Sequence, residues 1–414
     1  MPPHIPTLTL HGPPYTIGLE HGQQAASLIT KNIKTYTAFF HETANLSWSD
    51  AKTRAATFIP TLKTLYPAIL DEIRGIADGS GLDFTDILAL NIRSEIALTN
   101  YDNTPTPPKS QPQVPEITDG CTALAQLSGD GSRLVLAQNW DWVADLADGT
   151  VVLDITIPGS ESQGNGDGHG DGGGKETKRL FTLTEAGLVG KIGLNSSGLG
   201  VCVNALRCGA FDVHRLPTHI MARYILEHGA GVGSAVEMLG ELGGACAVNM
   251  LVADMEGAFA SVEVTPFGIS VLRPSSEEAV PGDGFDLERG RGPSFVAHTN
   301  HVVTPARGFP RGAIYDRPAA NSFSRLQRVT ELARVDAERG VEVCGEAVYA
   351  RLKDQEGDPY SICRGLPVNA RGMERMTTLA SVVIDMDVVE KRARGFVTVG
   401  RPCEEGLQRM EWEF

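Results

Sequence analysis

The stretch Ile117-Thr118-Asp119-Gly120-Cys121-Thr122 lies where a proline-rich run ends and a segment of alternating apolar residues begins. A glycine directly before a cysteine lets the peptide carbonyl adopt strained geometry without a Cβ clash, so that the neighbouring thiol can approach it. Cleavage between Gly120 and Cys121 would leave a thiol and a new α-amino group on one terminal residue. An N-terminal nucleophile of this kind is activated by its own amine. We therefore predict that the backbone is cut at this bond.

The composition is that of an ordinary globular protein and excludes several classes of partner. The 414 residues are 42% hydrophobic and 21% charged, and no run approaches the ~20 apolar residues that span a bilayer. A formal net charge of −15 disfavours nucleic acid and anionic membranes, since phosphate binding needs clustered Lys and Arg. Because neither end of the chain matches a signal peptide or a targeting tripeptide, a cytoplasmic location is expected.

The cysteines predict reduced thiols. An odd number of scattered cysteines, without a Cys-x-x-Cys pair, argues against a disulfide framework in a long chain. A single cysteine is most often a small buried hydrophobe, so only its context distinguishes Cys121 from the others. The seven are Cys121, Cys202, Cys208, Cys246, Cys344, Cys363 and Cys403.

The first hundred residues are predicted to be mostly helical, after one short strand at residues 7–11. The proline-rich linker that follows, residues 102–118, favours an extended, exposed conformation and leads directly to Cys121. The alternative interpretation of this linker is an ordinary interdomain tether. The predicted helices begin at Pro14, at Ser47 or Ser49 as N-cap, at Pro67 and at Asp83, the last running to Ile96.

After Cys121 the pattern changes to strands that alternate with pairs of helices, which predicts helices stacked on antiparallel sheets. Residues 159–174 are a glycine-rich insertion; their resemblance to a dinucleotide-binding loop fails because no strand opens directly into a helix there. The predicted strands are 122–127, 134–138, 151–157, 188–194, 199–206, 248–253, 258–264, 269–272, 295–300, 380–386, 396–399 and 408–412, and the predicted helices are 218–228, 232–242, 321–339 and 342–352.

Several motifs resemble one enzyme family. Asp119-Gly120-Cys121-Thr122, followed by Gln138-Asn139-Trp140-Asp141, is similar to the cleavage site and first hairpin of the acyl-coenzyme A:6-aminopenicillanic acid acyltransferase (isopenicillin N acyltransferase) family. These are self-processing N-terminal nucleophile enzymes. The resemblance continues through residues 90–95, 193–200, 298–301, 361–364 and 378–381.

The resemblance implies an α+β architecture, the four-layer αββα N-terminal nucleophile hydrolase fold. It also implies two pieces that stay associated after the cut, an amino-terminal helical piece, 1–120, and a catalytic piece, 121–414. In the cleaved chain the α-amino group has an ordinary pKa of about 7.7–8.0 and the thiol one of about 8.5, so the two can share a proton at neutral pH. The thiolate would attack an amide or thioester carbonyl to give an acyl-enzyme.

The family roles can be carried over residue by residue. Asp141 matches the carboxylate that orients the cysteine's amino group. Asn300 resembles the side-chain donor to the tetrahedral oxyanion, a role worth about 2.7–4 kcal/mol in comparable sites. Asn204 is the candidate for a second donor, through its backbone N–H.

An arginine near the nucleophile is also implied. Arg375 aligns with the family arginine, although the family's Ser-Arg-Gly reads Glu-Arg-Met here. Arg364 and Arg325 remain alternatives. An arginine there would lower the pKa of the thiol or hold a substrate carboxylate.

The sequence therefore predicts an enzyme that hydrolyses or transfers the acyl group of a non-peptide N-acyl amide or an acyl thioester. No cofactor is expected, acyl-coenzyme A entering only as a possible substrate, and a homo-oligomer is left open. His298 and His301, three apart on a strand, should point to opposite faces, which argues against a metal site. The alternative function is a catalytically silent, uncleaved scaffold or binding protein.

Overall fold

A computed structural model of the chain describes residues 5–98, 120–159, 177–206, 211–274, 294–304 and 320–414. The predicted proline-rich linker, 102–118, lies outside the described residues, as does nearly all of the glycine-rich insertion, 159–174. Every other predicted element falls at least partly within them.

The described amino-terminal part is a strand followed by six helices, two more than predicted, because α3 (Ile59–Leu65) was not predicted and the last predicted helix is divided. Pro14 occupies the first turn of the long first helix, and Ser47 forms a capping box with Asp50 that begins the second. The helix predicted over 83–96 is two short helices that break at Ile92. The elements are β1 (Thr7–His11), α1 (Pro14–Ala44), α2 (Trp48–Ala56), α3 (Ile59–Leu65), α4 (Pro67–Ser80), α5 (Phe84–Asn91) and α6 (Arg93–Leu98).

Two glycine pairs bring α1 and α4 into backbone contact. A Cβ on Gly18 would lie 2.0 Å from the Glu72 carbonyl oxygen, and one on Gly79 would lie 2.2 Å from the carbonyl oxygen of Leu19. A side chain at either position would therefore push the helices apart.

Two sheets form the centre of the molecule. The eight-stranded sheet has the order β1-β4-β5-β6-β7-β8-β9-β10 and the six-stranded sheet the order β11-β2-β3-β12-β13-β14. Only the β1–β4 pair is parallel among the paired strands of the described ranges. The strands are β2 (Gly120–Leu127), β3 (Arg133–Val143), β4 (Thr150–Ile157), β5 (Lys178–Glu185), β6 (Ile192–Asn195), β7 (Leu199–Ala205), β8 (Val248–Asp254), β9 (Phe259–Thr265), β10 (Gly268–Leu272), β11 (Phe295–His298), β12 (Met376–Asp387), β13 (Arg392–Val399) and β14 (Arg409–Glu413).

The side chains of β2 and β3 alternate between two cores, which defines four layers. Ala123 and Leu136 face the eight-stranded sheet, whereas Leu124 and Val135 pack beneath the helices on the other side. The helices α7 (Thr218–His228) and α8 (Val232–Leu242) cover the eight-stranded sheet, and α9 (Ala320–Glu338) and α10 (Gly345–Leu352) cover the six-stranded one. The predicted four-layer αββα fold is confirmed.

One strand of the structure was not predicted, and another begins later in the sequence than predicted. β5 was not predicted, and the strand expected over 188–194 begins only at Ile192. The apolar residues of 188–191 are instead a buried loop, which has the same hydrophobic pattern as a central strand.

Buried polar contacts hold the amino-terminal part against the rest of the molecule. Arg223 of α7 donates two hydrogen bonds to the Glu72 carboxylate of α4, at 2.7 and 2.8 Å. Asn32 of α1 donates to the carbonyl oxygens of Gly149 and Ala186, at 3.1 and 3.0 Å. These contacts do not depend on a continuous backbone between the two parts.

We expect Glu72→Gln to lower the free energy of unfolding by about 3 kcal/mol, because it leaves the buried Arg223 charge without its main partner. The matched control is Asp148→Asn, since Asp148 also joins the two parts, through an exposed ion pair with Lys31. The control should cost less than about 1 kcal/mol. Urea denaturation measures the free energy of unfolding of both variants. Equal losses would contradict a stabilising role for the buried Arg223–Glu72 pair.

Candidate active site

The β2–β3 hairpin brings the predicted cleavage site and Asp141 together. Gly120 pairs with Asp141, and Cys121 pairs with Trp140. This is the arrangement that the hairpin spacing predicts. Cys121 is only 7% exposed and opens into a cavity. The cavity is lined by residues of both parts of the chain, among them Arg93, Cys121, Trp140, Lys191, His219 and Asn300.

A glycine is required at position 120 because neighbouring side chains leave no room for a Cβ, and not because the backbone is strained. It lies in an extended strand and is not among the described glycines with positive φ. A Cβ at this position would lie 2.8 Å from Asp141 Oδ2 and 2.9 Å from Arg364 Nη1. The sequence-based argument from backbone strain is therefore wrong, and close packing of charged groups explains the glycine.

Asp141 is fully buried, and one of its carboxylate oxygens lies beside Gly120. Its Oδ1 accepts a hydrogen bond from Thr378 Oγ1 at 2.7 Å, whereas Oδ2 accepts none from the described residues. Burial raises the pKa of Asp141 to about 7, an effect that the charges of Arg325 and Arg364 oppose. A buried acceptor next to Gly120 is thus available to a donor that forms there.

Asn300 contacts the backbone of Cys121, and its role as an oxyanion donor stays a prediction. Its Oδ1 accepts from the Cys121 backbone N–H at 2.7 Å and from Arg325 Nη2 at 2.9 Å. Its Nδ2 donates to the Ala205 carbonyl oxygen at 3.0 Å. In the uncut chain Asn300 therefore holds the nitrogen that cleavage would convert into an amine.

The carbonyl of Cys121 is held by two side chains. Arg325 Nη1 donates to it at 2.7 Å, and Asn204 Nδ2 donates at 3.3 Å. Asn204 was predicted to act through its backbone N–H, but its contact with the nucleophile residue is made by the side chain. These contacts fix the backbone on which the thiol is carried.

The prediction that Arg375 lines the site is wrong. Its guanidinium lies at the surface, 40% exposed, and pairs with Asp145 at 2.9 Å. Arg375 comes just before β12 begins, opposite the end of β3, and so points to solvent. The two alternatives, Arg325 and Arg364, are both buried beside Gly120.

The thiol is protonated at neutral pH in the uncut chain. Burial and the charge of Asp141 raise the pKa of Cys121 to about 11, while Lys191 and Arg325 lower it. Because the thiolate is the nucleophile, attack requires a base or a nearby cation.

Lys191 lines the cavity beside Cys121 and was not among the predicted site residues. Its ammonium lies 3.6 Å from the centre of the Trp140 ring and 3.7 Å from Glu185 Oε1. Glu185 is already held by Arg93 through hydrogen bonds of 2.7 and 2.8 Å. Burial and the charge of Arg93 lower the pKa of Lys191 to about 7. No local pattern marks Lys191, which a buried loop before β6 brings to the cavity.

We expect Lys191→Met to reduce kcat/KM for the predicted acyl-transfer reaction about tenfold at pH 6, and progressively less above pH 7. The lysine is charged below its pKa of about 7 and favours the thiolate there, whereas above that pH the wild type loses the same charge. Lys178→Met, at the surface, is the control and should change neither rate nor profile. A loss that is constant with pH would contradict an electrostatic role.

Both candidate metal-ligating histidines are hydrogen-bonded to protein groups. His298 Nε2 lies 3.0 Å from Glu263 Oε1, and His301 Nδ1 lies 2.8 Å from Ser322 Oγ. Within the described ranges, no three His, Cys, Asp or Glu side chains group as metal ligands. None of the helices described is long and apolar enough to cross a bilayer.

The four layers, with a buried cysteine near the start of a central strand, define the N-terminal nucleophile hydrolase fold class. The profile of the family "Acyl-coenzyme A:6-aminopenicillanic acid acyl-transferase" matches residues 127–392, well over half of the chain. The protein belongs to this family.

One relative and two solved structures illustrate the similarity. The chain is 26% identical over 395 residues to the acyl-coenzyme A:6-aminopenicillanic-acid-acyltransferase 40 kDa form of Emericella nidulans, covering 95% of this chain and 92% of the relative. Penicillin V acylase from Agrobacterium tumefaciens is 16% identical, with a TM-score of 0.43 over 71% of this chain and 86% of that one. A conjugated bile acid hydrolase mutant from Clostridium perfringens is 13% identical, with a TM-score of 0.42 over 70% and 92%.

Proposed function

We propose that the protein cuts its own backbone between Gly120 and Cys121 and then works as an N-terminal cysteine enzyme. Cys121 forms an acyl-enzyme from a non-peptide N-acyl amide or an acyl thioester and passes the acyl group to water or to an amine. Membership of an acyltransferase family supports acyl transfer or hydrolysis at such bonds. Acyl-coenzyme A enters this scheme as a substrate and not as a resident cofactor.

One observation carries the proposal, namely the buried Asp141 Oδ2 beside the bond to be cut, which accepts no hydrogen bond from the described residues. A buried carboxylate oxygen without a donor is costly. After cleavage, the new α-ammonium group of Cys121 supplies the missing donor while Asn300 Oδ1 keeps its hold on the same nitrogen. The cut therefore relieves an electrostatic cost that is built into the precursor.

The cut is an acyl shift followed by hydrolysis. The Cys121 thiol loses its proton and Sγ attacks the Gly120 carbonyl carbon, after which the C–N bond breaks and the nitrogen leaves as an amine that takes up a proton. Water then hydrolyses the Gly120 thioester and releases the thiol. Asp141, with its raised pKa of about 7, is the proton acceptor that we assign to this step.

In turnover, the free amine of Cys121 takes the proton of its own thiol, and the thiolate attacks the acyl donor. The charge of Lys191 favours that thiolate. The cavity wall formed by Trp142, Val203 and Val248 suits an apolar acyl group.

The amino-terminal piece, 1–120, remains bound after the cut in this proposal. Arg93 and Ser94 come from that piece and line the same cavity as Cys121. Loss of the piece would open the acyl site to solvent and leave Glu185 without its arginine.

The test is to trap the acyl-enzyme with a panel of N-acyl amines and acyl thioesters, followed by intact-mass measurement of the quenched protein. We expect at least one donor to add the mass of its acyl group to the 121–414 piece, on Cys121. If the protein is cleaved but no donor modifies it, the proposed acyl-enzyme activity is contradicted. A chain that stays uncleaved and unmodified would favour the silent scaffold.

A further inference from the structure

Two cysteines outside the cavity meet between neighbouring segments. Cys363 lies between α10 and β12, and Cys403 lies in the turn after β13. Their Sγ atoms are 2.7 Å apart, with the Cys363 thiol donating to Cys403. A disulfide requires an S–S distance of about 2.05 Å, so only a small movement separates the two thiols from bonding.

The backbone around Cys363 is held in place by hydrogen bonds on both sides. Its N–H donates to the Asp354 carbonyl oxygen at 2.8 Å. Its own carbonyl oxygen accepts from Ser361 Oγ at 2.7 Å and from Arg401 Nη2 at 3.2 Å. Because Arg401 is two residues from Cys403, the same contacts bring the two cysteine-bearing segments together.

The two thiols differ in their access to solvent. Cys403 is half-buried, whereas Cys363 is fully buried. Burial raises the pKa of the Cys363 thiol far above its ordinary range. An oxidant therefore reacts first at Cys403, and Cys363 acts as the second, resolving thiol.

We propose that Cys363 and Cys403 form a redox-active pair that closes reversibly to a disulfide by exchange with a small-molecule disulfide such as oxidised glutathione. The Cys403 thiolate attacks one glutathione sulfur, and the first glutathione thiolate leaves. Cys363 then attacks Cys403 Sγ, the protein S–S bond forms, and the second glutathione leaves. The two protein thiols are oxidised, glutathione disulfide is reduced, and the two protons end on the two glutathione thiols.

The pair lies next to a segment that contacts the cleavage site. Arg364, the residue after Cys363, packs its guanidinium against Gly120. Its backbone N–H donates to Thr378 Oγ1 at 2.9 Å, and that hydroxyl donates to Asp141 at 2.7 Å. Closure of the disulfide joins the segment around Cys363 and Arg364 to the turn at Cys403 and restrains the movement of that segment.

The experiment uses the full chain carrying Cys121→Ala, so that the nucleophile cannot react with the oxidant. The protein is equilibrated with oxidised or reduced glutathione, alkylated and digested, and the peptides are identified by mass spectrometry. We expect oxidation to join the peptides containing Cys363 and Cys403, with the loss of two hydrogen atoms, and reductant to separate them. Amide hydrogen exchange around Cys363 should slow on closure.

Two further variants in the same background control the result. Cys344→Ser, at another half-buried cysteine, should leave the cross-link intact. Cys403→Ser should abolish it while the circular dichroism spectrum stays that of the folded parent. Glutathione carried stably by Cys403 without transfer to Cys363, or two free thiols at every glutathione ratio, would overturn the proposal. Neither outcome bears on the cut, which this background lacks.

Discussion

Cys121→Ala is expected to abolish both the backbone cut and acyl transfer. The described side chains that hydrogen-bond the Cys121 backbone, Asn300, Asn204 and Arg325, are amide and guanidinium groups and not nucleophiles. Removal of a nucleophile costs on the order of 10⁶-fold in kcat in comparable hydrolases. The loss of one buried sulfur should leave the fold intact.

The matched control is Cys202→Ala in the neighbouring sheet. Cys202 is buried and is not among the residues that line the cavity, so its removal takes the same atom from the core without removing a cavity side chain. Gel analysis and turnover of a reactive acyl donor measure both variants. Cleavage of Cys121→Ala at the wild-type rate, or equal losses in the two variants, would show that the nucleophile lies elsewhere.

Asp141→Asn carries the second large effect. The amide keeps the shape of the carboxylate but cannot accept the proton of the thiol or form an ion pair with the α-ammonium group. It also removes the negative charge with which Arg325 and Arg364 interact. We expect the rate of the cut to fall by about 10²- to 10⁴-fold. Asp145→Asn, which breaks only the surface pair with Arg375, should leave the rate unchanged.

A pH titration of stability in the uncut Cys121→Ala background tests the same carboxylate without catalysis. The pKa of Asp141 is raised to about 7 in the folded protein from 3.8, so the folded state retains a proton that the unfolded state has lost. The favourable contribution of this retained proton to the free energy of unfolding is complete below pH 3.8 and disappears as pH rises through about 7. Adding Asp141→Asn should therefore flatten the fall in stability between those values. An unchanged pH dependence would mean that Asp141 is not the group that titrates.

Local pattern predicted the parts of the site that lie close together in sequence. The hairpin spacing placed Asp141 beside the cleavage site, and the capping signal at Ser47 and the proline at Pro67 marked helix starts correctly. Alternating apolar residues gave most strands of both sheets.

Groups that reach the site from distant segments could not be found in this way. Arg93 and Lys191 meet through Glu185, and no periodicity relates an arginine on α6 to a lysine before β6. Arg375 was favoured by its motif, yet its position at the end of a strand turns it to solvent. The approach of Cys363 to Cys403 likewise depends on how two loops pack and not on their spacing.

The intact masses and amino-terminal sequences of the purified wild-type protein test the central claim most directly. We expect two chains that copurify, and the larger one should begin with Cys121-Thr122-Ala123. A single full-length chain under conditions where the fold is formed, or a larger piece that begins at any other residue, would contradict it.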